Sequence, residues 1–323
     1  QLLITIDQSL RAGKTFDLKK NADEALDNCP TIENVIVVKR TGNPIQWVKG
    51  RDSWWDDEMR ADDIEDYCAY EHMEAEDILY ILYTSGSTGK PKGQVHTTGG
   101  YMTYVYITQK WIFDLHPETL YWCMADIGWV TGHSYIVYGP LLCGTTSFMY
   151  EGTPLYPKPD RAWELIDRYQ INVCYTAPTA IRALSRQGDH WPENRSLSSL
   201  KVLGTVGEPI NPEAWMWYHT KVGKETCPIV DTWWQTETGG ILITPLPGAW
   251  PTKPGSATFP FPGIIPRVAN PGIDDLEGRG EKLPPNETGH LCIERPWPGL
   301  SRTIYKDHER YEQTYFSQYP GMY

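Results

Sequence analysis

Residues 83–93 read YTSGSTGKPKG, and their types suit one task, the holding of a polyphosphate. Thr84, Ser85, Gly86, Ser87, Thr88 and Gly89 set hydroxyls and unhindered backbone N–H groups along a turn, with Lys90 and Lys92 beside it. Glycine lets the backbone approach an anion closely, amides and hydroxyls donate hydrogen bonds, and lysine neutralises charge. This is not a Walker A loop, which needs Ser or Thr after its lysine; here Pro91 follows Lys90. Other reactive residue types form no comparable constellation. The eight histidines show neither HExxH nor HxH spacing, so no protein-built transition-metal site is expected. The seven cysteines (Cys29, Cys68, Cys123, Cys143, Cys174, Cys227, Cys292) include no CxxC pair. They read as reduced, mostly buried thiols of a cytoplasmic protein.

Such a loop needs a frame. Apolar runs at 78–84, 119–127, 145–152, 171–178, 200–207 and 228–234 read as strands. Residues 161–170, 178–187 and 211–223 read as helices, the last capped by Asn211 with Pro212 at its first position. This alternation predicts an α/β fold with right-handed crossovers and a mostly parallel sheet. After about residue 240, Pro and Gly become dense and no helix is expected before DHERYEQTYF (307–316). The expected division is therefore an α/β part over 1–240 and a β-rich part over 241–323.

Apolar content of 40% and charged content of 22% fit a globular chain. No apolar run is long enough to span a membrane, and no signal-peptide pattern is present. The net charge of −12 is concentrated between Arg51 and Asp77, where 12 acidic residues face two basic ones. That stretch reads as solvated surface and argues against nucleic acid as a partner. The ends, QLLITI and PGMY, read as internal to a longer protein.

The loop at 83–93 resembles the phosphate loop of the acyl-adenylate-forming superfamily. HTTGGY (96–101), DIGWVTGHSYIVYGPL (126–141), YTAPTAIRAL (175–184), VGEPINPEAW (206–215), DTWWQTETGG (231–240) and DHERYEQTYF (307–316) follow in order. Together they resemble AMP-forming acetyl-CoA synthetases, with propionyl-CoA synthetases as the next relatives. The resemblance implies the large-domain portion of an adenylate-forming enzyme, with the C-terminal small domain and its adenylation lysine absent. It implies ATP and coenzyme A as substrates, with Mg²⁺.

Site roles follow from the same resemblance. Thr84, Lys90 and Glu237 are the implied catalytic residues, Glu237 also being associated with Mg²⁺. Asp231, Thr232, Trp233, Trp234, Gln235 and Thr236 surround the adenine and α-phosphate, and Gly207, Glu208 and Pro209 line the adenine slot. Val130, Thr131, Val206 and Trp234 wall a carboxylate pocket that the indole shortens to about two carbons. Arg11, Ala12, Gly13 and Lys14, with Thr131, serve coenzyme A. The family usually has Arg at Lys14 and Asn at Leu155, so two coenzyme A contacts are altered here. A structural role is expected for His133. The implied reaction is acyl-AMP formation from acetate and ATP, then acyl transfer to the thiol. This length of chain alone is expected to be impaired in it. Propionate preference and a non-catalytic nucleotide-binding fragment are the alternatives.

Overall fold

The computed structural model describes residues 1–85, 89–272 and 278–323; the expectations for Gly86, Ser87 and Thr88 lie outside them. The chain forms two compact units, Gln1–His72 with Tyr150–Arg161, and Met73–Met149 with Ala162–Tyr323.

In the first unit, β1 (Leu2–Ile6), β4 (Asn34–Val38) and β5 (Asp52–Trp54) form a parallel sheet in the order β1-β4-β5. Between them lie β2 (Ser9–Arg11), β3 (Lys14–Phe16) and α1 (Leu18–Leu26), and α2 (Trp55–Glu58) follows. Val35 and Val37 of β4 are fully buried, as expected for a β-branched strand with a neighbour on each side. Buried Lys19 is paired with Asp23 (2.6 Å) and Asp52 (2.9 Å), so its charge is not left alone in the interior.

The second unit begins with β6 (Ile78–Thr84), β7 (Lys92–Thr97), α3 (Thr98–Ile112) and β8 (Leu120–Cys123). Next come α4 (Val130–Gly132), a π-helical turn over 133–138, α5 (Gly139–Leu142) and β9 (Thr146–Ser147). Then follow α6 (Arg161–Tyr169), β10 (Val173–Thr176), α7 (Pro178–Ser185), α8 (His190–Glu193), β11 (Val202–Thr205) and α9 (Pro212–Trp217). A second π-helical turn over 218–222, β12 (Ile229–Asp231), β13 (Pro266–Ala269), β14 (His290–Ile293), β15 (Thr303–Ile304) and α10 (His308–Tyr315) complete it.

Its main sheet is wholly parallel, in the order β12-β11-β10-β8-β9. From β8 the chain first adds β9 on one side, then returns to add β10, β11 and β12 on the other. The order thus reverses between β8 and β10, and in open parallel sheets ligands bind beyond the carboxyl ends of the strands at such a point. A smaller antiparallel sheet, β15-β7-β6, carries the β6–β7 hairpin, with Thr84 opposite Lys92. The core beside the main sheet is rich in tyrosine: Tyr101, Tyr121, Tyr135 and Tyr175 are almost fully buried.

Within the acidic stretch 51–77, residues 55–77 are exposed as expected, but residues 51–54 are not: Asp52 is buried and paired with Lys19 and Arg51. β6 fills the whole 78–84 run, whereas the other strands are shorter than their apolar runs: 119–127 contributes Leu120–Cys123 and 145–152 only Thr146–Ser147. The helix expected over 211–223 is α9 continued by a π-helical turn. Asn211 occupies its N-cap position, but its side chain makes no capping bond. Cys29 and Cys68 are exposed, the other cysteines are buried or half-buried, and all are free. Among the described residues no helix is long and apolar enough to cross a membrane.

Candidate active site

The carboxyl ends of three adjacent strands stand level, with Thr176 of β10 paired to Thr205 of β11 and Thr205 to Asp231 of β12. The residues that follow each end are therefore neighbours: Ala177–Pro178, Val206–Pro209 and Thr232–Glu237. This edge gathers the residues expected at adenine and α-phosphate.

Gly207 leaves β11 at φ +94° with nothing within 4 Å of where a Cβ would stand. Its requirement is conformational rather than steric, so Gly207→Ala is expected to cost about 1 kcal/mol, read as a shift in the urea midpoint. Glu208 turns back onto α7. It accepts bonds from the Thr179 amide (2.7 Å), the Thr179 hydroxyl and Arg182 (2.8 Å). The Thr179 hydroxyl leads the interactions that hold its carboxyl below the usual range. Glu208 thus fastens the loop that Gly207 opens.

Asp231 is 6% exposed and accepts a 2.6 Å bond from the Thr205 hydroxyl. Burial pushes its ionisation up, against that bond and the Thr232 amide. Thr232 donates to the Thr205 carbonyl (2.7 Å) and meets the Tyr175 hydroxyl at 2.7 Å. The Trp234 indole N–H donates to the same Tyr175 oxygen at 3.3 Å, and its ring meets that of Tyr135 edge-on with centroids 5.0 Å apart. Two tyrosines thereby fix the orientation of the half-buried indole. Thr131 lies one turn ahead of Tyr135 on the same helical segment, after buried Val130. Buried Val206 packs in the same core cluster that Trp234 flanks.

At the loop end of the β6–β7 hairpin, Lys92 Nζ lies 3.5 Å from Glu237 Oε1. The Gln94 amide reaches the same oxygen at 3.4 Å, and Tyr315 donates a short bond to it. Among the described residues the other Glu237 oxygen accepts no bond. The Thr84 hydroxyl, at the hairpin's edge, is buried without a partner among them. Lys90 is exposed, and Arg310 of α10 donates to its carbonyl at 2.8 Å. Among the described residues no group of three or more His, Cys, Asp or Glu is arranged to hold a metal ion. Magnesium needs no such cluster where one carboxylate and nucleotide phosphates share the coordination. A buried acid with one uncommitted oxygen fits that use.

The irregular segment 232–241 is held by side chains that satisfy its backbone. Trp297 donates to the Thr238 carbonyl (2.8 Å), Ser134 to that of Gly239 (2.7 Å) and Tyr104 to that of Ile241 (2.7 Å). His96 Nε2 lies 2.8 Å from the Thr236 carbonyl, which assigns the proton to that nitrogen. Burial pushes the His96 ionisation down to about 4. The unfolded chain therefore takes up this proton first as pH falls, and roughly 2 kcal/mol of stability should disappear between pH 7 and pH 5. Urea unfolding at the two pH values, compared with His96→Gln, checks this; the variant should lack that part of the decline.

In the first unit, Arg11 and Lys14 are paired across the β2–β3 hairpin, both exposed. Ala12 and Gly13 form its two-residue turn at φ +49° and +77°, the left-handed pair such hairpins favour. A Cβ on Gly13 would stand 2.7 Å from the Tyr156 hydroxyl. Leu155 lies in the same unit. Tyr175, Arg182 and Tyr315 fall inside the quoted motifs, but their types alone gave them no role. Thr205 and Gln94 carried no signal beyond being polar residues beside apolar strands.

The AMP-binding enzyme family matches residues 1–305. The chain is 57% identical over 323 residues to an acetyl-coenzyme A synthetase of Rubrobacter xylanophilus, covering all of this chain and 49% of that protein. It is 55% identical over 325 residues to the acetyl-coenzyme A synthetase of Escherichia coli K12, covering 48% of it. Among solved structures, an acetoacetyl-CoA synthetase from Streptomyces lividans superposes with a TM-score of 0.83 at 25% identity, covering all of this chain and 48% of that one. The chain spans about half the length of the curated relatives it matches.

Proposed function

The chain belongs to the AMP-binding enzymes, and from that premise we propose that it forms the nucleotide- and acid-binding portion of an AMP-forming acetate–CoA ligase. The observation that carries this reading is the meeting of the phosphate-loop hairpin with the 231–237 segment, Lys92 lying 3.5 Å from Glu237.

In this reading a carboxylate oxygen of acetate attacks the α-phosphorus of ATP, giving acetyl-AMP and releasing pyrophosphate. The coenzyme A thiolate then attacks the acyl carbonyl and expels AMP. The protein's contribution is positioning and charge stabilisation rather than covalent chemistry. Thr84, Ser85 and Gly89, with Gly86, Ser87 and Thr88, hold phosphates; the Thr84 hydroxyl, buried without a partner among the described residues, supports this. Lys90 neutralises phosphate charge. Glu237 would hold Mg²⁺, which when bound neutralises the departing pyrophosphate. Gly207, Glu208 and Pro209 border the adenine; Asp231, Thr232, Trp233, Gln235 and Thr236 border adenine and α-phosphate. Val130, Thr131, Val206 and Trp234 enclose the methyl group of acetate.

Arg11, Ala12, Gly13 and Lys14 present two cations and free backbone to the nucleotide end of coenzyme A. Residues 1–240 and 241–323 serve as two parts of one adenylation domain, in a cytoplasmic protein acting on small molecules. The test is acetate-dependent ATP–pyrophosphate exchange by the full-length gene product. Exchange that does not depend on a short acid refutes the reading. Intact ATP binding without any exchange favours a non-catalytic nucleotide-binding protein.

A further inference from the structure

The last turn of α10 reaches the Lys92–Glu237 cluster. The Tyr315 phenol oxygen accepts bonds from Lys92 Nζ (2.7 Å) and Gln94 Nε2 (2.8 Å), and donates to Glu237 Oε1. One proton and two lone pairs are all a phenol offers, and all three are engaged. Lys92 also stands over the ring, 4.8 Å from its centroid, while its ammonium stops 3.5 Å from the carboxylate. The ring itself is packed between Tyr311 and Tyr323, at centroid distances of 5.3 and 5.6 Å. A rigid phenol is thus hydrogen-bonded to both members of a Lys92–Glu237 ion pair that stands at 3.5 Å.

We propose that Tyr315 is a positioning residue for nucleotide binding: it anchors one oxygen of Glu237 and occupies Lys92, leaving the second carboxylate oxygen for the magnesium ion that arrives with ATP. The inference rests on the reading of Glu237 as the magnesium-facing acid. Without the phenol hydroxyl, the Lys92 ammonium loses its 2.7 Å acceptor and can tighten its 3.5 Å contact with Glu237, in competition with the metal. Groups that orient a metal's ligands commonly alter affinity by tenfold or more.

The experiment is calorimetric titration of the full-length gene product with Mg·ATP, and with ATP in EDTA. The wild type, Tyr315→Phe, Glu237→Gln and the double variant are compared. Tyr315→Phe keeps the ring between its neighbours, so the fold is retained. It should weaken Mg·ATP about tenfold and leave metal-free ATP within about twofold. The double variant should bind no more weakly than Glu237→Gln, because Tyr315 acts through Glu237. Equal losses with and without metal, or additive losses in the double variant, would overturn the proposal. So would a loss in Glu237→Gln with none in Tyr315→Phe, which leaves the reading of Glu237 standing. Unchanged Mg·ATP affinity in Glu237→Gln removes that reading and the inference together.

Discussion

Replacing Trp234 by glycine is expected to shift the preferred acid from two carbons to four or more, and to lower kcat/KM for acetate by roughly a hundredfold. The indole is held from two sides, by the Tyr175 hydroxyl at 3.3 Å and by the edge of Tyr135 at 5.0 Å. Its removal therefore leaves space rather than letting another side chain swing in, because Tyr135 and Tyr175 are themselves fully buried and bonded elsewhere. A wall that excludes one methylene discriminates by only about 1–3 kcal/mol, so propionate should be a modest substrate before the change. Butyrate and pentanoate should respond most to it. Tyr175→Phe provides a graded control. It removes the hydrogen bond and keeps the ring, and should loosen the indole without opening the pocket. Measuring kcat/KM for acids of two to five carbons in the full-length gene product decides the matter; an unchanged chain-length profile would show that Trp234 does not bound the acid.

The parts of this fold that were legible in sequence are those whose physics is one-dimensional. Val173–Thr176, Val202–Thr205 and Ile229–Asp231 are parallel strands buried at every position, and such strands read as short apolar runs. β7 was not legible because KGQVHT places Gln94 and His96 in the interior. Those two side chains are buried for what they bind: Gln94 reaches Glu237 and Tyr315, and His96 reaches the Thr236 carbonyl. α3 was hidden in a different way, since TGGYMTYVYITQKWI is rich in β-branched and aromatic residues with weak helix propensity. The π-helical turns have no sequence signature that separates them from the helices they extend. In the site, the motif segments were legible, but the ties between them were not. Thr205 with Asp231, Tyr175 with Trp234, and Tyr315 with Glu237 lie from 26 to 78 residues apart in sequence; the sheet's register aligns the first pair, and tertiary packing brings the other two together.

Asp231→Asn is expected to stabilise the fold at neutral pH while weakening ATP binding by roughly 10- to 100-fold. Asp231 is buried with one hydroxyl donor, and among the described residues no cation accompanies it; burial accordingly raises its ionisation. A carboxylate whose folded value lies above its unfolded one favours folding when protonated. Its contribution is complete below the ordinary value near 3.8 and is lost as pH rises through the higher folded value. At pH 7 the charge is therefore a burden on the fold. An amide of the same shape can still accept from Thr205 without that burden, and should gain on the order of 1 kcal/mol. The gain should vanish near pH 3, where aspartate is itself neutral. A residue that destabilises its own fold at working pH is most simply understood through what its charge does for a ligand, here at the strand end beside the proposed adenine and α-phosphate. Urea unfolding at pH 7 and pH 3, with calorimetric ATP titration at pH 7, tests both halves. A variant that is more stable yet binds ATP as well as the wild type would detach Asp231 from the nucleotide and leave its burial without a functional reason.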